Sequence, residues 1–316
     1  MRFPEFPDDP EHAPVSPDER HQAGQRSTWV SVWVNVLLSA GQMVVGLLAH
    51  SQALVADALH SLSDLVSDGV VLVASHHSRK DADEDHPYGH HRFETAASLA
   101  LGLILLAVGG GMLWAAVLKL QAPDQISPVQ PLALYVALVA IISKELLFRY
   151  LLKVATRVKS SLLVANAWHA RSDAASSLVV ALGIGGGLLG YPLLDPLAAV
   201  VVGLMVCKMG AQFAWEAMHD LTDRAVDLAE VAEIQKTLRE TPGVAGVHDV
   251  RTRKMGDLVL VDAHLEVDAQ ITVEEGHDIA VEARRRVLQR HRVLDLMTHV
   301  DPWRRPDPDH LRDERA

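Results

Sequence analysis

The apolar residues of this chain are concentrated in six long segments, near residues 28–49, 52–78, 94–118, 130–152, 161–189 and 192–217. A helix of about 20 apolar residues crosses the roughly 30 Å hydrocarbon core of a bilayer. A buried helix bundle of a soluble protein is the alternative, but six such segments with short connections favour the membrane. The pattern therefore predicts a six-helix transmembrane domain over residues 27–221.

The pattern changes after residue 222. Residues 228–240 show the period of an amphipathic helix, 247–254 and 258–267 alternate as strands, 273–290 are again helical, and 294–300 form a short strand. The order α-β-β-α-β predicts a small two-layer α+β domain over 222–302. The polar ends, residues 1–26 and 303–316, are predicted to be disordered tails.

The basic residues of the connections indicate the orientation. Those after the second and fourth segments include Arg79, Lys80, Arg92, Lys153, Arg157 and Lys159. The connections after the first and fifth segments have none, and the third has only Lys119. Because basic residues near the spans stay on the cytoplasmic side, both termini are predicted to be cytoplasmic. The net charge of -11 does not oppose this, since the rule counts only basic residues.

An eleven-residue motif occurs twice, as LVADALHSLSD at 54–64 and LVANAWHARSD at 163–173, with seven identical positions. Each copy places a His four residues before an Asp, which puts both side chains on one face of a helix. Two such helices supply two nitrogens and two oxygens, a tetrahedral set suited to Zn²⁺. Ionisable groups inside a membrane usually belong to an ion path. The candidate ligands are His60, Asp64, His169 and Asp173.

A second candidate metal site lies in the connection after the second segment. Asp83, His86 and His90 are spaced i, i+3, i+7 around Pro87 and Gly89. A carboxylate with imidazoles suits Zn²⁺ or another first-row divalent ion. A solvated acidic loop with incidental histidines is the alternative, although the Pro and Gly indicate a fixed bend.

The C-terminal domain contains a third set of candidate ligands. Any one of them alone would more often be an ordinary surface or core residue. Five in one small domain predict a metal site where they converge. They are His248, His264, His277, His299 and Asp301.

Several ionisable residues of the apolar segments have less defined roles. Asp57 and Asp68 extend the face of the second segment that carries His60. Lys144 and Glu145 are expected to pair with each other or with a neighbour near the membrane edge. Cys207 is expected to be a small apolar packing residue.

The chain resembles the cation diffusion facilitator family from about residue 25 to 301. The resemblance is carried by the paired HxxxD helices, DxxHxxGHxRxE from Asp83 to Glu94, KExxxRY from Lys144 to Tyr150, Asp195-Pro196, and HDVRTR from His248 to Arg253. It implies a divalent-metal/proton antiporter, not an enzyme. It also implies a homodimer in the bacterial cytoplasmic membrane, alternating access, a metallochaperone-like cytoplasmic domain, and no nucleic-acid partner.

The resemblance also implies residue roles. His60, Asp64, His169 and Asp173 match the transport site, and Asp83, His86 and His90 match a loop site. The five ligand-type residues of the C-terminal domain match the binuclear metal site of the family's cytoplasmic domain. Arg92 and Asp223 match a charge interlock between the membrane and cytoplasmic domains.

His60 is a departure from many bacterial members, which have Asp at this position. Replacing an oxygen ligand by imidazole should favour Zn²⁺, Co²⁺ or Cd²⁺ over Mn²⁺ and weaken the case for Fe²⁺. Metal binding requires neutral imidazole and ionised carboxylate, so protons compete with metal for the same groups. The sequence has no GxxxxGK[ST] motif, so coupling to ATP is not expected.

Two other classes of function remain open from the residues alone. A membrane-embedded metallohydrolase would keep an open metal position beside a general base, yet four ligands can close this site and no HExxH motif is present. A metal sensor or scaffold would report metal to a partner through the cytoplasmic domain. Flux measurements separate transport from both.

Overall fold

The computed structural model describes residues 17–78, 80–157, 161–256 and 258–304. The helices are α1 (Pro17–Leu48), α2 (Gln52–Ser78), α3 (Arg92–Gln121), α4 (Pro131–Arg157), α5 (Ser161–Leu188), α6 (Leu194–Leu221), α7 (Leu228–Arg239) and α8 (Val273–Arg290). The strands are β1 (Gly246–Met255), β2 (Leu258–Asp268) and β3 (Val293–Trp303), and a short 3₁₀ helix covers Pro123–Gln125. The chain divides into two compact units, one of residues up to 70 and 101–212, the other of 71–100 and 213 onward.

The six N-terminal helices have the lengths that the apolar pattern predicts. In the described part of the chain, five of them, all but α5, are long and apolar enough to cross a membrane. α5 has 28 residues, but His169, Arg171 and Asp173 lower the apolar content of its first half. Large apolar side chains on the other helices, such as Leu47 and Leu103, are exposed, as expected of helix surfaces that face lipid.

The start of α2 is held by a residue from another helix. Asp195, in the first turn of α6, accepts hydrogen bonds from Ser51 Oγ at 2.6 Å and from the backbone N–H of Gln52 at 2.7 Å. Ser51 Oγ in turn accepts from the N–H of Leu54 at 3.2 Å. The first amides of a helix have no partner within the helix, so these bonds satisfy groups that would otherwise be buried without one.

Helices α3 and α6 approach closely because small residues line their contact. Gly102 and Gly109 on α3, and Gly203 and Gly210 on α6, are seven residues apart on each helix. A Cβ at Gly210 would lie 2.8 Å from the carbonyl oxygen of Gly102, and one at Gly109 would lie 2.6 Å from Cys207 Sγ. Cys207 is therefore a packing residue. Small side chains let helix backbones pack tightly where lipid supplies no hydrophobic force between them.

The C-terminal domain confirms the predicted order α-β-β-α-β. Its sheet has the order β1-β2-β3, with β1 and β2 antiparallel and β2 and β3 parallel. α8 makes the crossover and begins with a capping box of Thr272 and Glu275. α7 and α8 cover one face of the sheet, where Ile234 and Val287 pack on Val261 and Leu265. The other face carries the alternate residues of the strands.

Two boundaries differ from the predicted ones. α1 begins at Pro17, although the sequence predicts that residues 17–26 belong to a disordered tail. Proline suits the first position of a helix, and the sequence from residue 18 to the apolar segment contains only one glycine to oppose helix formation. β3 continues to Trp303, past the predicted end at residue 300. The remaining tail predictions, for residues 1–16 and 305–316, lie outside the described residues.

Candidate metal sites

The repeated motif assembles a cluster of ligand-type side chains between α2 and α5. His60 and Asp64 on α2 and Asp173 on α5 each offer one atom within 4.8 Å of the others. His60 is buried and Asp64 and Asp173 are half-buried. His60 Nδ1 lies 3.8 Å from Asp64 Oδ2 and has no hydrogen-bond partner among the described residues. A buried nitrogen without a partner, facing two carboxylates, fits a divalent cation as a ligand set.

His169, the fourth predicted ligand, lies at the margin of this cluster. Its Nε2 is 4.0 Å from Asp173 Oδ2, but the side chain is 57% exposed and does not join the group within 4.8 Å. The structure thus brings three of the four residues together and leaves the fourth one helical turn away on α5.

A buried ion pair that the sequence does not predict lies beside the cluster. Lys144 Nζ on α4 is 3.6 Å from Asp57 Oδ1 on α2, with the two side chains 2% and 0% exposed. The expectation that Lys144 pairs near the membrane edge is wrong, whereas Glu145 does pair with a neighbour, Arg149, at 2.8 Å. The available sequence signal is weak: Lys144 is a cation inside a predicted span, and Asp57 shares a helix face with His60.

The loop between α2 and α3 forms the second cluster. Asp83 Oδ1 lies 3.4 Å from His86 Nδ1 and Asp83 Oδ2 lies 3.3 Å from His90 Nε2. His90 is buried against Phe93, while Asp83 and His86 are exposed. The backbone N–H of His86 donates to Asp83 at 2.8 Å, and this hydrogen bond lowers the pKa of the Asp83 carboxyl. Asp83 is thereby kept in the ionised form that binds a cation.

Arg92, at the start of α3, pairs with Asp223 as the family resemblance implies. The distance between Arg92 Nη2 and Asp223 Oδ1 is 2.5 Å, and Arg92 Nε lies 3.2 Å from Met255 Sδ. Both charged side chains are about half exposed, so the pair itself contributes roughly 0–1 kcal/mol to stability. Its role as an interlock remains a proposal.

The third cluster lies on the face of the sheet opposite α7 and α8. Each of His248, His264 and Asp301 offers one ligand atom within 4.8 Å of the others, and His299 lies beside this group. His248 is the register partner of His264, and His264 is the register partner of His299. Asp301 accepts a hydrogen bond from His264 Nδ1 at 2.8 Å and lies 3.4 Å from His248 Nε2 and 3.2 Å from His299 Nε2. The hydrogen bond from His264 is the main reason that the pKa of Asp301 is lowered. Glu266, 3.8 Å from His248, is an acidic neighbour that the sequence analysis missed.

The prediction that His277 joins this cluster is wrong for a single protomer. His277 lies on α8 and lines a groove with Thr298 and Val300. Strand residues alternate between faces, so Thr298 and Val300 lie on the opposite face of β3 from His299 and Asp301. α8 packs on the Val300 face, and the sheet therefore separates His277 from the other four residues.

These features define a class: a helical membrane protein with a buried imidazole–carboxylate site and a cytoplasmic-type α+β domain that carries a metal-ligand cluster. Residues 28–222 match the family described as the cation efflux transmembrane domain, and residues 226–303 match the cation efflux protein cytoplasmic domain. The chain belongs to the cation diffusion facilitator family. It is therefore a multi-pass membrane transporter that carries metal cations out of the cytoplasm, not an enzyme.

Relatives with different names match most of the chain. Metal tolerance protein 2 of Oryza sativa subsp. japonica is 37% identical over 305 residues, which cover 88% of this chain and 78% of that protein. Manganese efflux system protein MneS of Bacillus subtilis is 34% identical over 279 residues, covering 88% and 96%. Magnetosome protein MamB of Magnetospira sp. is 34% identical over 278 residues, covering 87% and 94%.

Proposed function

We propose that this transporter exports Zn²⁺ from the cytoplasm in exchange for protons, at a site formed by His60, Asp64, His169 and Asp173. The observation that supports the proposal most is the cluster of His60, Asp64 and Asp173, which joins α2 and α5 among apolar helices. Two carboxylates and two neutral imidazoles around a divalent ion have no net charge. Charge balance matters because a buried uncompensated charge is costly.

The choice of Zn²⁺ rests on the ligands, since a relative that is named for manganese efflux shows that membership of the family does not fix the metal. Imidazole nitrogen suits Zn²⁺ and its neighbours Co²⁺ and Cd²⁺, whereas Mn²⁺ prefers oxygen. His60 supplies a buried nitrogen to the site. We therefore place Zn²⁺ first, Co²⁺ and Cd²⁺ next, and Fe²⁺ and Mn²⁺ last.

Proton exchange follows from the same ligands. Zn²⁺ binds neutral imidazole and ionised carboxylate, so protons and Zn²⁺ compete for the same four side chains. On the cytoplasmic side, the low proton activity favours occupation by Zn²⁺. On the more acidic outer side, protons displace the ion, and return of the protonated site carries protons inward.

We further propose that the protein is a homodimer in the bacterial cytoplasmic membrane with both termini in the cytoplasm. The distribution of basic residues after the second and fourth spans supports this orientation. The cluster of His248, His264, His299 and Asp301 would bind Zn²⁺ that stabilises the cytoplasmic domains and their association. The loop residues Asp83, His86 and His90 would form a separate divalent-cation site.

The test is metal flux into proteoliposomes that contain the purified protein. Zn²⁺, Co²⁺, Cd²⁺, Fe²⁺ and Mn²⁺ are supplied one at a time and in competition, with and without a pH gradient. We expect Zn²⁺ to move fastest and its flux to acidify the compartment that it leaves. Flux that moves no protons would contradict antiport, and faster Mn²⁺ than Zn²⁺ flux would contradict the proposed selectivity.

A further inference from the structure

We propose that Lys144 and Asp57 are positioning residues that hold α2 and α5 at a fixed separation, and that this separation determines which ions the transport site accepts. The inference rests on the proposed transport site. It assigns a function to two of the most buried charged side chains of the six N-terminal helices, neither of which belongs to the ligand cluster.

Lys144 joins both ligand-bearing helices directly. Its Nζ donates to Ser61 Oγ on α2 at 3.0 Å and to Ser177 Oγ on α5 at 2.7 Å. The same ammonium group is 3.6 Å from Asp57 Oδ1. One side chain from α4 therefore bridges the two helices that carry the repeated motif.

Asp57 completes the connection and extends it to a fourth helix. Its Oδ2 accepts hydrogen bonds from Ser177 Oγ at 2.8 Å and from Gln42 Nε2 on α1 at 2.5 Å. Gln42, Asp57, Lys144 and Ser177 are all buried. Gln42 Oε1 and Asp57 Oδ1 have no hydrogen-bond partner among the described residues, but the other polar atoms of the network connect α1, α2, α4 and α5 and restrict how these helices can shift.

The network is attached to the ligands through the backbone. Ser61 follows His60 directly, and Ser177 Oγ also lies 3.2 Å from the carbonyl oxygen of Asp173, one turn before it. A change in the distance between Ser61 and Ser177 therefore moves His60 relative to Asp173. Ions of different size need different ligand distances, so a rigid frame discriminates by size and a loose frame does not.

The test uses the full-length protein with both charges removed, D57N/K144M. Removing one partner alone would leave a buried charge without compensation, whereas removing both leaves none. The amide introduced by D57N keeps an acceptor for Gln42, but the thioether introduced by K144M donates no hydrogen bond to Ser61 or Ser177. The matched control is E145Q/R149Q, which removes one opposite-charge pair from the exposed side of α4.

Zn²⁺ and Cd²⁺ transport are measured in proteoliposomes, because the two ions share ligand preferences while Cd²⁺ is larger. Outer-shell changes typically weaken metal binding by about 10–100-fold, so we expect the KM for Zn²⁺ in D57N/K144M to rise by at least ~10-fold. The maximal rate should change much less, and the ratio of the two KM values should move toward one. The control variant should match the wild type in all of these quantities.

Folded D57N/K144M with wild-type KM values and a wild-type ratio would overturn the proposal. If that variant does not fold, S61A/S177A decides the question by the same measurements, since it keeps the ion pair and removes its connections to the helices. The transport site is tested separately by D64A. Loss of flux in D64A together with unchanged KM values in the double variant would refute only the positioning role, whereas Zn²⁺ flux by D64A would refute the site itself.

Discussion

His264 and His299 face each other across two parallel strands, as register partners of β2 and β3, with their ring centroids 4.9 Å apart. Parallel neighbours of this kind are separated by a long crossover in the sequence, here through α8. The strand register therefore brings together two imidazoles that are distant along the chain, and Asp301, two residues beyond His299, adds the carboxylate on the same face.

We expect Zn²⁺ to stabilise this domain through that cluster. A metal that binds only the folded form raises stability as its free concentration rises above its Kd. In purified protein that carries D64A to remove the transport site, the melting temperature should rise with Zn²⁺ and fall when a chelator is added. Adding H264A should reduce this response, whereas adding H219A, which changes a histidine outside the cluster, should not. An equal response with and without H264A would mean that the histidines of the sheet are not metal ligands.

The carboxylates of the transport site should be indispensable. D64A and D173A each remove a negative charge that the imidazoles cannot replace, so Zn²⁺ would be bound with an uncompensated positive charge. We expect Zn²⁺ uptake into proteoliposomes to fall to the level of empty vesicles in both variants. D124A, in the exposed 3₁₀ helix, should transport normally. Size-exclusion profiles should show that all three variants remain folded and of unchanged oligomeric state.

His60 should determine the relative rates at which different metal ions are transported. H60D replaces a nitrogen ligand by oxygen and adds a negative charge, which suits harder ions such as Mn²⁺ and Fe²⁺. We expect the rates of these two ions to rise relative to that of Zn²⁺ in a competition assay. If the relative rates of the three ions stay the same, His60 does not determine selectivity.

Asp301 should keep its contribution to the cytoplasmic cluster as the pH falls from 7 to 5. The pKa of Asp301 is lower in the folded protein than its ordinary value near 3.8. The stability that the ionised carboxylate contributes is therefore complete above pH 3.8, and it is lost only as the pH falls through the lower pKa of the folded state. The carboxylate therefore stays ionised from pH 7 to 5. Loss of Zn²⁺ on acidification within this range should therefore follow protonation of the other ligands, because metal binding requires neutral imidazole.

Equilibrium dialysis across that range, on D64A protein to remove the transport site, measures the release from the remaining sites. D301N in the same background should bind Zn²⁺ more weakly at every pH from 7 to 5, because the ionised carboxylate contributes throughout. An affinity of this variant equal to that of the D64A parent at pH 5 would show that Asp301 is not an ionised ligand there.

Asp195 should contribute to stability although it lies away from every metal cluster. D195A leaves the hydroxyl of Ser51 and the first amides of α2 without their acceptor in a buried place. From typical values for lost helix caps and charged acceptors, we expect a loss of about 2–3 kcal/mol and a lower melting temperature. D195N retains one carbonyl oxygen and should lose less. A melting temperature for D195A equal to that of the wild type would show that water replaces the carboxylate.

The pattern of apolar and polar residues is sufficient to predict the order and type of the helices and strands. Apolar runs long enough to cross a bilayer predict the six helices, and period-two alternation around Gly256 predicts the β1–β2 hairpin. The strongest signals are therefore local: the length of a run, its period and the residues that end it. The i,i+4 spacing of His60 and Asp64 is a signal of the same kind, because helical geometry alone places both side chains on one face.

The wrong predictions concern which helices and strands pack against each other. The sequence suggests the membrane edge for Lys144, because nothing in the pattern of α4 says that its buried side packs against Asp57 of α2 and Ser177 of α5. The sequence also assigns His277 to the metal cluster of the C-terminal domain, because its position on α8 does not show that the whole sheet lies between it and His299. Both errors are errors of tertiary packing, which a single sequence does not encode locally.

The buried pair of Asp57 and Lys144 also has a consequence for biogenesis. Asp57 enters the membrane with α2, yet its cationic partner does not exist until α3 and half of α4 have been translated. During that interval a carboxylate must be held in or near the bilayer without its counter-ion, at a cost of about 2.5–3.5 kcal/mol on an insertion scale. Nascent chains that end after α3 should therefore insert α2 less stably than chains that include Lys144. The first and second halves of the six-helix domain are thus linked by the order in which the ribosome synthesises Asp57 and Lys144.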